Sequence, residues 1–209
     1  MKNLFITGIG TNVGKTIVSA IFTESYKADY WKPIQSGTDE GKDGDTIKQL
    51  ISNTVTKIFS ESYLLKAPLS PNIAAKQEGI KIDLDNIVLP KKINEVENKY
   101  LIIEGAGGLL VPINNQHFVI DIAKKFNCEI VLVINEYLGC INHALLSINY
   151  LQQHQYKIHV IVFNGSFNTE VKQSILNFCK GIKTIDIPQI EPLTKESILQ
   201  NTISYLEFK

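Results

Sequence analysis

The chemistry of this chain concentrates in Gly8-Ile9-Gly10-Thr11-Asn12-Val13-Gly14-Lys15-Thr16. Glycines let a backbone turn sharply and aim successive N–H groups inward, a geometry that holds anions. A helix opening near Gly14 adds free N–H groups and the positive end of its dipole, which suits phosphate. Lys15 would then reach the β- and γ-phosphates of a nucleotide, and the Thr16 hydroxyl would face Mg²⁺. Gly14-Lys15-Thr16 matches the end of the G-x-x-x-x-G-K-[ST] phosphate-binding pattern, but five positions before Gly14 stands Ile9, with glycines at 8 and 10 instead. Context supplies what the pattern lacks. The apolar Leu4-Phe5-Ile6 ahead of the loop reads as a buried strand, and Ile17, Ala20 and Ile21 behind it repeat at the spacing of a helix face. The loop is therefore expected to bind ATP.

A metal needs more than one hydroxyl. Glu104 ends the apolar run Tyr100-Leu101-Ile102-Ile103 and precedes Gly105-Ala106-Gly107-Gly108. Ligands of open parallel sheets sit beyond the carboxyl ends of the strands. Glu104 is thus expected to face the phosphates and add an oxygen to the Mg²⁺ shell. Asp45 has two readings, helix N-cap or metal ligand, and Asp43 is its rival for either. Lys32 closes Tyr30-Trp31 and precedes Pro33. At that edge it either steadies a second anionic group near the γ-phosphate or is a solvated strand-end lysine.

These residues need a scaffold, and the apolar pattern provides one. Strand signals fall at Leu4–Ile6, Tyr30–Trp31, Tyr100–Glu104, Glu129–Ile134 and Ile158–Phe163. Of these, Glu129–Ile134 is apolar on both faces, as in a buried parallel strand. Helix signals run from Lys15 to Tyr26, from near Asp45 through Ile47, Leu50 and Ile51, and from Pro71. Others follow at Val119, Ile122, Ala123 and Phe126, then at Ala144, Leu145, Ile148 and Leu151. Val171, Ile175, Phe178 and Cys179 mark another helix, and Leu199, Ile203 and Leu206 the last. Asp83 to Val96 is expected to be helical with a break at Pro90, Pro33 to end regular structure, and Gln35 to Gly44 to be a loop. Alternating strand and helix predicts one α/β domain over residues 1–209, a P-loop NTPase-like fold whose mostly parallel sheet carries helices on both faces.

Four segments, in order along the chain, resemble the dethiobiotin synthetase family. They are Thr7-Gly8-x-x-Thr11-x-Val13-Gly14-Lys15-Thr16, Lys32-Pro33-Ile34-Gln35-Ser36-Gly37, Glu104-Gly105-Ala106-Gly107-Gly108 and Leu138-Gly139-Cys140-Ile141-Asn142-His143, with Ala67-Pro68-Leu69-Ser70-Pro71 a looser fifth. The five-residue spacer between Gly8 and Gly14 is that family's own. The resemblance implies an ATP-dependent ring closure of 7,8-diaminononanoate with CO2 or bicarbonate. It implies Mg²⁺ on Thr16, Asp45 and Glu104, and a catalytic Lys32 assisted by Lys15 and Thr11. It implies nucleotide contacts from Asn12, Val13, Gly14, Lys15, Thr16, Ile17, Asp45, Glu104, Gly105, Ala106 and Gly107, with Asn164, Gly165, Pro188, Gln189 and Ile190 on the adenine side. Ser36 would touch the diamine. Gly139, Cys140, Ile141 and Asn142 would bind its carboxylate across a homodimer interface. Asn12 stands where some members carry an acid, and the match thins after Ile190.

Composition bounds the alternatives. The chain has 209 residues, with Lys plus Arg at 21 and Asp plus Glu at 21, so no global charge draws it to nucleic acid or a membrane. No apolar run is long enough for a membrane span, and the N-terminal apolar stretch is too short for a secretion signal. Three cysteines without a CxxC pair read as reduced thiols, and the four histidines lack zinc spacing. The chain is read as cytoplasmic. The alternative function is a ParA/MinD-type ATPase switch, which needs a signature lysine where this sequence has Gly10.

Overall fold

The computed structural model describes residues 2–91 and 100–202. Strand and helix alternate through β1 (Lys2–Gly8), α1 (Lys15–Tyr26), β2 (Asp29–Trp31), β3 (Ile34–Ser36), α2 (Asp43–Leu50), β4 (Ile58–Phe59), β5 (Tyr63–Leu65), α3 (Pro71–Gln77) and β6 (Tyr100–Gly108). The series continues with α4 (Val119–Lys125), β7 (Glu129–Ile134), α5 (Cys140–Gln153), β8 (Ile158–Asn164), α6 (Thr169–Leu176), β9 (Thr184–Ile187) and α7 (Lys195–Gln200). Seven strands form one sheet in the order β4-β2-β6-β1-β7-β8-β9. Every pairing is parallel.

The central strands are apolar on both faces because both faces are covered. Leu4, Phe5 and Ile6 of β1 are wholly buried, as are Val131, Leu132 and Val133 of β7, although consecutive side chains point to opposite sides. Helix α1 packs against β1, β2 and β6 and beside α2 and α7, while α5 packs with α6. These parts share one contiguous core. The predicted P-loop NTPase-like α/β class is the observed one.

Several local expectations fail for identifiable reasons. Pro33 does not end regular structure: β3 begins at the next residue and pairs in parallel with β5 as a separate two-stranded ribbon. The Pro33 carbonyl starts that ribbon by accepting the N–H groups of Ser62 and Tyr63 at 2.9 and 3.0 Å. A proline lacks a donor but keeps its acceptor, which is all this position uses. Within the expected loop 35–44, residues 35 and 36 belong to β3 and Thr38–Glu40 form a 3₁₀ turn. No helix forms over 83–91, where one turn at 84–86 is followed by irregular chain; the rest of that expectation, residues 92–96, lies outside the described residues. Strands β4, β5 and β9 escaped the apolar pattern because they are two to four residues long and only partly buried. Helix α6 stops at Leu176, so Phe178 falls outside it and is exposed. Ile203 and Leu206 also lie outside the described residues.

Candidate active site

Strand β1 delivers the chain into the glycine loop, and α1 carries it away. Asn12 and Gly14 both adopt left-handed backbone, with φ of 59° and 89°. Such a turn aims neighbouring N–H groups into one hollow. Gly14 is required twice over. Its φ suits glycine, and a Cβ there would lie 2.1 Å from Nδ2 of Asn164. That amide donates to the Val13 carbonyl at 3.0 Å, tying the end of β8 to the loop. Gly14 is the N-cap of α1 and has no side-chain cap, so the first helical N–H groups face the hollow.

Lys32 and Glu104 meet beside this loop by sheet register. Tyr30 pairs with Ile102, and Lys32 and Glu104 each lie two residues further along neighbouring strands, on the same face. The Lys32 ammonium lies 3.2 Å from Oε1 of Glu104 and also pairs with Asp43. Thr16 Oγ1 donates to the same Glu104 oxygen at 3.0 Å, and the Tyr30 hydroxyl donates to Oε2 at 2.9 Å. Glu104 is wholly buried, which favours the neutral form. Lys32, then Lys15, and the hydrogen bond from Tyr30 outweigh this and hold the carboxyl below its usual range. Burial draws the Lys15 ammonium down to about 8; Glu104 opposes the shift and Lys32 adds to it.

A cavity of about 790 Å³ opens over these groups. Of the predicted site residues, Thr11, Asn12, Gly14, Lys15, Thr16, Ile17, Lys32, Ser36, Glu104, Ala106 and Gly107 line it. So does Pro68 to Pro71, on the loop after β5. The Ser36 hydroxyl is buried with no hydrogen-bond partner among the described residues, as a group awaiting a ligand would be. Val13 and Gly105 support the walls from behind. Val13 is buried, and a Cβ at Gly105 would meet Phe5 and Val119 at 3.0 Å.

The structure does not bring Asp45 to this cavity: it is exposed and lines a separate cleft with Lys48, Ser52 and Glu61, whereas Asp43 lines the cavity over the glycine loop and pairs with Lys32. Two residues along a helix turn a side chain by roughly 200°, so only one of the pair can face the site. The missed signal is Gly44. It is buried against Ile58, where a Cβ would sit at 3.3 Å, and four residues after Asp43 comes the buried Ile47. The small residue and the apolar one mark the inward side of α2, and Asp43 begins that side.

Several curated relatives bear one name. An ATP-dependent dethiobiotin synthetase BioD of Cytophaga hutchinsonii is 43% identical over 198 residues, covering 95% of this chain and 94% of the relative. That of Christiangramia forsetii is 41% identical, covering 95% and 93%. The chain belongs to the ATP-dependent dethiobiotin synthetase family. A family model described as an AAA domain also matches residues 2–197. Among solved structures, the septum site-determining protein MinD of Pyrococcus horikoshii, complexed with Mg-ADP, aligns over 96% of this chain and 86% of its own at 13% identity and a TM-score of 0.54. A nucleotide-binding protein of Archaeoglobus fulgidus in complex with ADP aligns over 99% and 91% at 12% identity and 0.52. At such identities these two likenesses show the fold alone.

For a dethiobiotin synthetase, the remaining predicted residues lie outside the lining of this cavity. Asn164 and Gly165 end β8, and the Gly165 N–H donates to the Ile187 carbonyl at 2.8 Å. The Gln189 amide oxygen lies beside Gly165, so Pro188, Gln189 and Ile190 adjoin Asn164 next to the P-loop. After β7, Gly139 caps α5, and the Tyr137 hydroxyl on the same turn approaches Gly10. Gly139 and Asn142 are exposed and do not line this chain's own cavity. Cys140 is buried and its N–H donates to the Tyr137 carbonyl at 2.9 Å, so it packs the helix start. Gln35, to which the sequence reading gave no role, accepts the Asp43 N–H at 3.2 Å and so fixes the start of α2.

Proposed function

We propose that the chain joins CO2 to 7,8-diaminononanoate and closes the product to a cyclic urea, dethiobiotin, converting ATP to ADP and phosphate. Family membership supports the overall activity. The observation that carries the finer reading is the Lys32 ammonium beside Glu104 and Asp43, in the same cavity as Lys15, Thr11 and Ser36. One substrate amine takes up CO2 as a carbamate. A carbamate oxygen attacks the γ-phosphate to give a carbamic–phosphoric anhydride, and ADP leaves. The second amine then attacks the anhydride carbon and expels phosphate. Thr11 and Lys32 hold the carbamate, Lys15 and Lys32 neutralise charge that builds on the transferred phosphoryl group, and Ser36 orients the diamine. Such chemistry asks mainly for positioning and charge stabilisation.

The donors present fit Mg²⁺. Among the described residues no three His, Cys, Asp or Glu side chains cluster as a metal-holding group. The site instead offers two carboxylates, Asp43 and Glu104, and the Thr16 hydroxyl. Mg²⁺ typically takes one or two carboxylates with a hydroxyl, waters and phosphate oxygens. When bound, the ion neutralises phosphate charge; Thr16, Asp43 and Glu104 would hold it.

Adenine lies against Asn164, Gly165 and the 188–190 loop, and the nucleotide chain follows Asn12 to Ile17. The diamine carboxylate is taken by the start of α5, at Ile141 and Asn142, from the partner in a homodimer. Leu138, fully exposed at 104%, and Leu146 at 60% give that face an apolar surface. Among the described residues no helix is long and apolar enough to cross a membrane. The reading is tested by ADP release with Mg-ATP. Added 7,8-diaminononanoate and bicarbonate should stimulate it strongly, with dethiobiotin as product. Indifference of the rate to both compounds would refute the proposed reaction.

A further inference from the structure

Tyr30 lies under the site and has no role in the reaction as described above. It is wholly buried on β2, and its hydroxyl donates to Glu104 Oε2 at 2.9 Å. The other carboxylate oxygen, Oε1, receives Thr16 Oγ1 at 3.0 Å and Lys32 Nζ at 3.2 Å. The two oxygens therefore have separate surroundings. Oε1 faces groups that line the cavity, whereas Tyr30 is not among the lining residues and holds Oε2 from the core side. A phenylalanine would fill the same apolar space, so packing alone does not call for the hydroxyl. A carboxylate so held cannot swing about its last bond without leaving a buried oxygen and a buried hydroxyl unpaired, a costly outcome.

We propose that Tyr30 is a positioning residue that locks the Glu104 carboxylate with one oxygen presented to Mg²⁺ and the other anchored in the core. The proposal rests on the reading of Glu104 as a metal ligand. Partners that orient metal-binding side chains typically contribute about 10- to 100-fold to metal affinity.

The test separates metal affinity from nucleotide affinity. Mn²⁺ binding to the ADP complex is followed by electron paramagnetic resonance, and metal-free ATP binding by calorimetry in chelator. Tyr30→Phe should weaken Mn²⁺ by about 10-fold or more while metal-free ATP affinity stays within about twofold. Tyr30→4-aminophenylalanine, which restores a donor at the same place, should recover Mn²⁺ affinity. If Tyr30→Phe does not fold, Tyr30→4-methylphenylalanine fills the hydroxyl's space without a donor and takes its part in the comparison. Unchanged Mn²⁺ affinity in the donorless variant, an equal loss of both affinities, or no recovery with the amino group overturns the proposal. Glu104→Gln is measured alongside. If it weakens Mn²⁺ binding and Tyr30→Phe does not, only the role of Tyr30 falls. If Glu104→Gln leaves Mn²⁺ affinity intact, the ligand assignment falls and takes Tyr30's role with it.

Discussion

Glu104, Lys32 and Asp43 depend on one another as charges. Burial by itself pushes the Glu104 pKa up, and the nearby ammonium groups of Lys32 and Lys15 bring it below its usual range. Lys32 is likewise buried, between two acids. Replacing it removes the charge nearest the proposed carbamate but leaves the glycine loop, Lys15 and Thr16 in place. Lys32→Ala should therefore keep measurable ATP binding and lose about 10²-fold or more in turnover, checked by calorimetry and steady-state ADP release. Turnover near that of the parent chain would remove Lys32 from the chemistry. The two aspartates of α2 give a sharper contrast. Asp43→Asn should raise the Mg²⁺ concentration needed for half-maximal rate by about 10-fold or more, whereas Asp45→Asn, on an exposed face, should stay close to the parent. The reverse outcome would restore Asp45 to the site. In the sequence both aspartates sit at the start of the same helix, and residue type alone could not separate them.

Elements matter here through the connections that fix their ends. Glu24, near the end of α1, is buried and accepts the N–H groups of Ser52 and Asn53 at 2.7 and 3.1 Å, with the Asn53 amide at 3.1 Å. It thereby anchors the exit of α2 to α1, while Gln35 anchors the entry of α2 from β3. Asp43 is held at the site from both directions. In sequence Glu24 reads as an ordinary solvated acid near a helix end, because its three donors come from a loop 28 and 29 residues away. Glu24→Ala leaves those donors without their acceptor and should destabilise the fold by about 1–3 kcal/mol, measured by denaturant unfolding. A change below a few tenths would show that water replaces the carboxylate at no cost. The ribbon of β3 and β5 was equally hidden, since three residues are too few to show a period, yet it carries Ser36 and leads into Pro68 to Pro71 over the cavity.

On the scale of the whole molecule the sheet has a chemical end and a structural end. The carboxyl ends of β1, β2 and β6 border the cavity over the glycine loop. At the opposite end Glu129 gathers Lys2 at 2.7 Å, His159 at 2.9 Å and Lys157, joining the starts of β1, β7 and β8. Burial pushes this carboxyl up, but hydrogen bonds from Lys157, Lys2 and His159, and the Lys2 charge, bring it down to about 2. Burial, with Lys2, lowers the His159 pKa against the pull of Glu129, so its ring tends to be neutral at physiological pH. A carboxyl depressed from 4.5 to about 2 contributes stability that is complete above 4.5 and lost as pH falls toward 2. The parent should thus lose melting temperature more steeply over that interval than Glu129→Gln, whose amide does not titrate there; parallel curves would show that the network does not stabilise the fold. The sheet itself says little about reaction class, because MinD shares it at 13% identity. What the sequence determined alone was the phosphate loop, the buried strands and the family, because glycine spacing, apolar runs and a five-residue spacer are local properties that survive in one dimension. The tertiary structure decided which aspartate faces Lys32, that Cys140 is interior, and that Tyr30 reaches Glu104 across 74 positions. Those facts depend on register between strands distant in sequence and on the rotation of a helix about its axis, and neither is written in residue order.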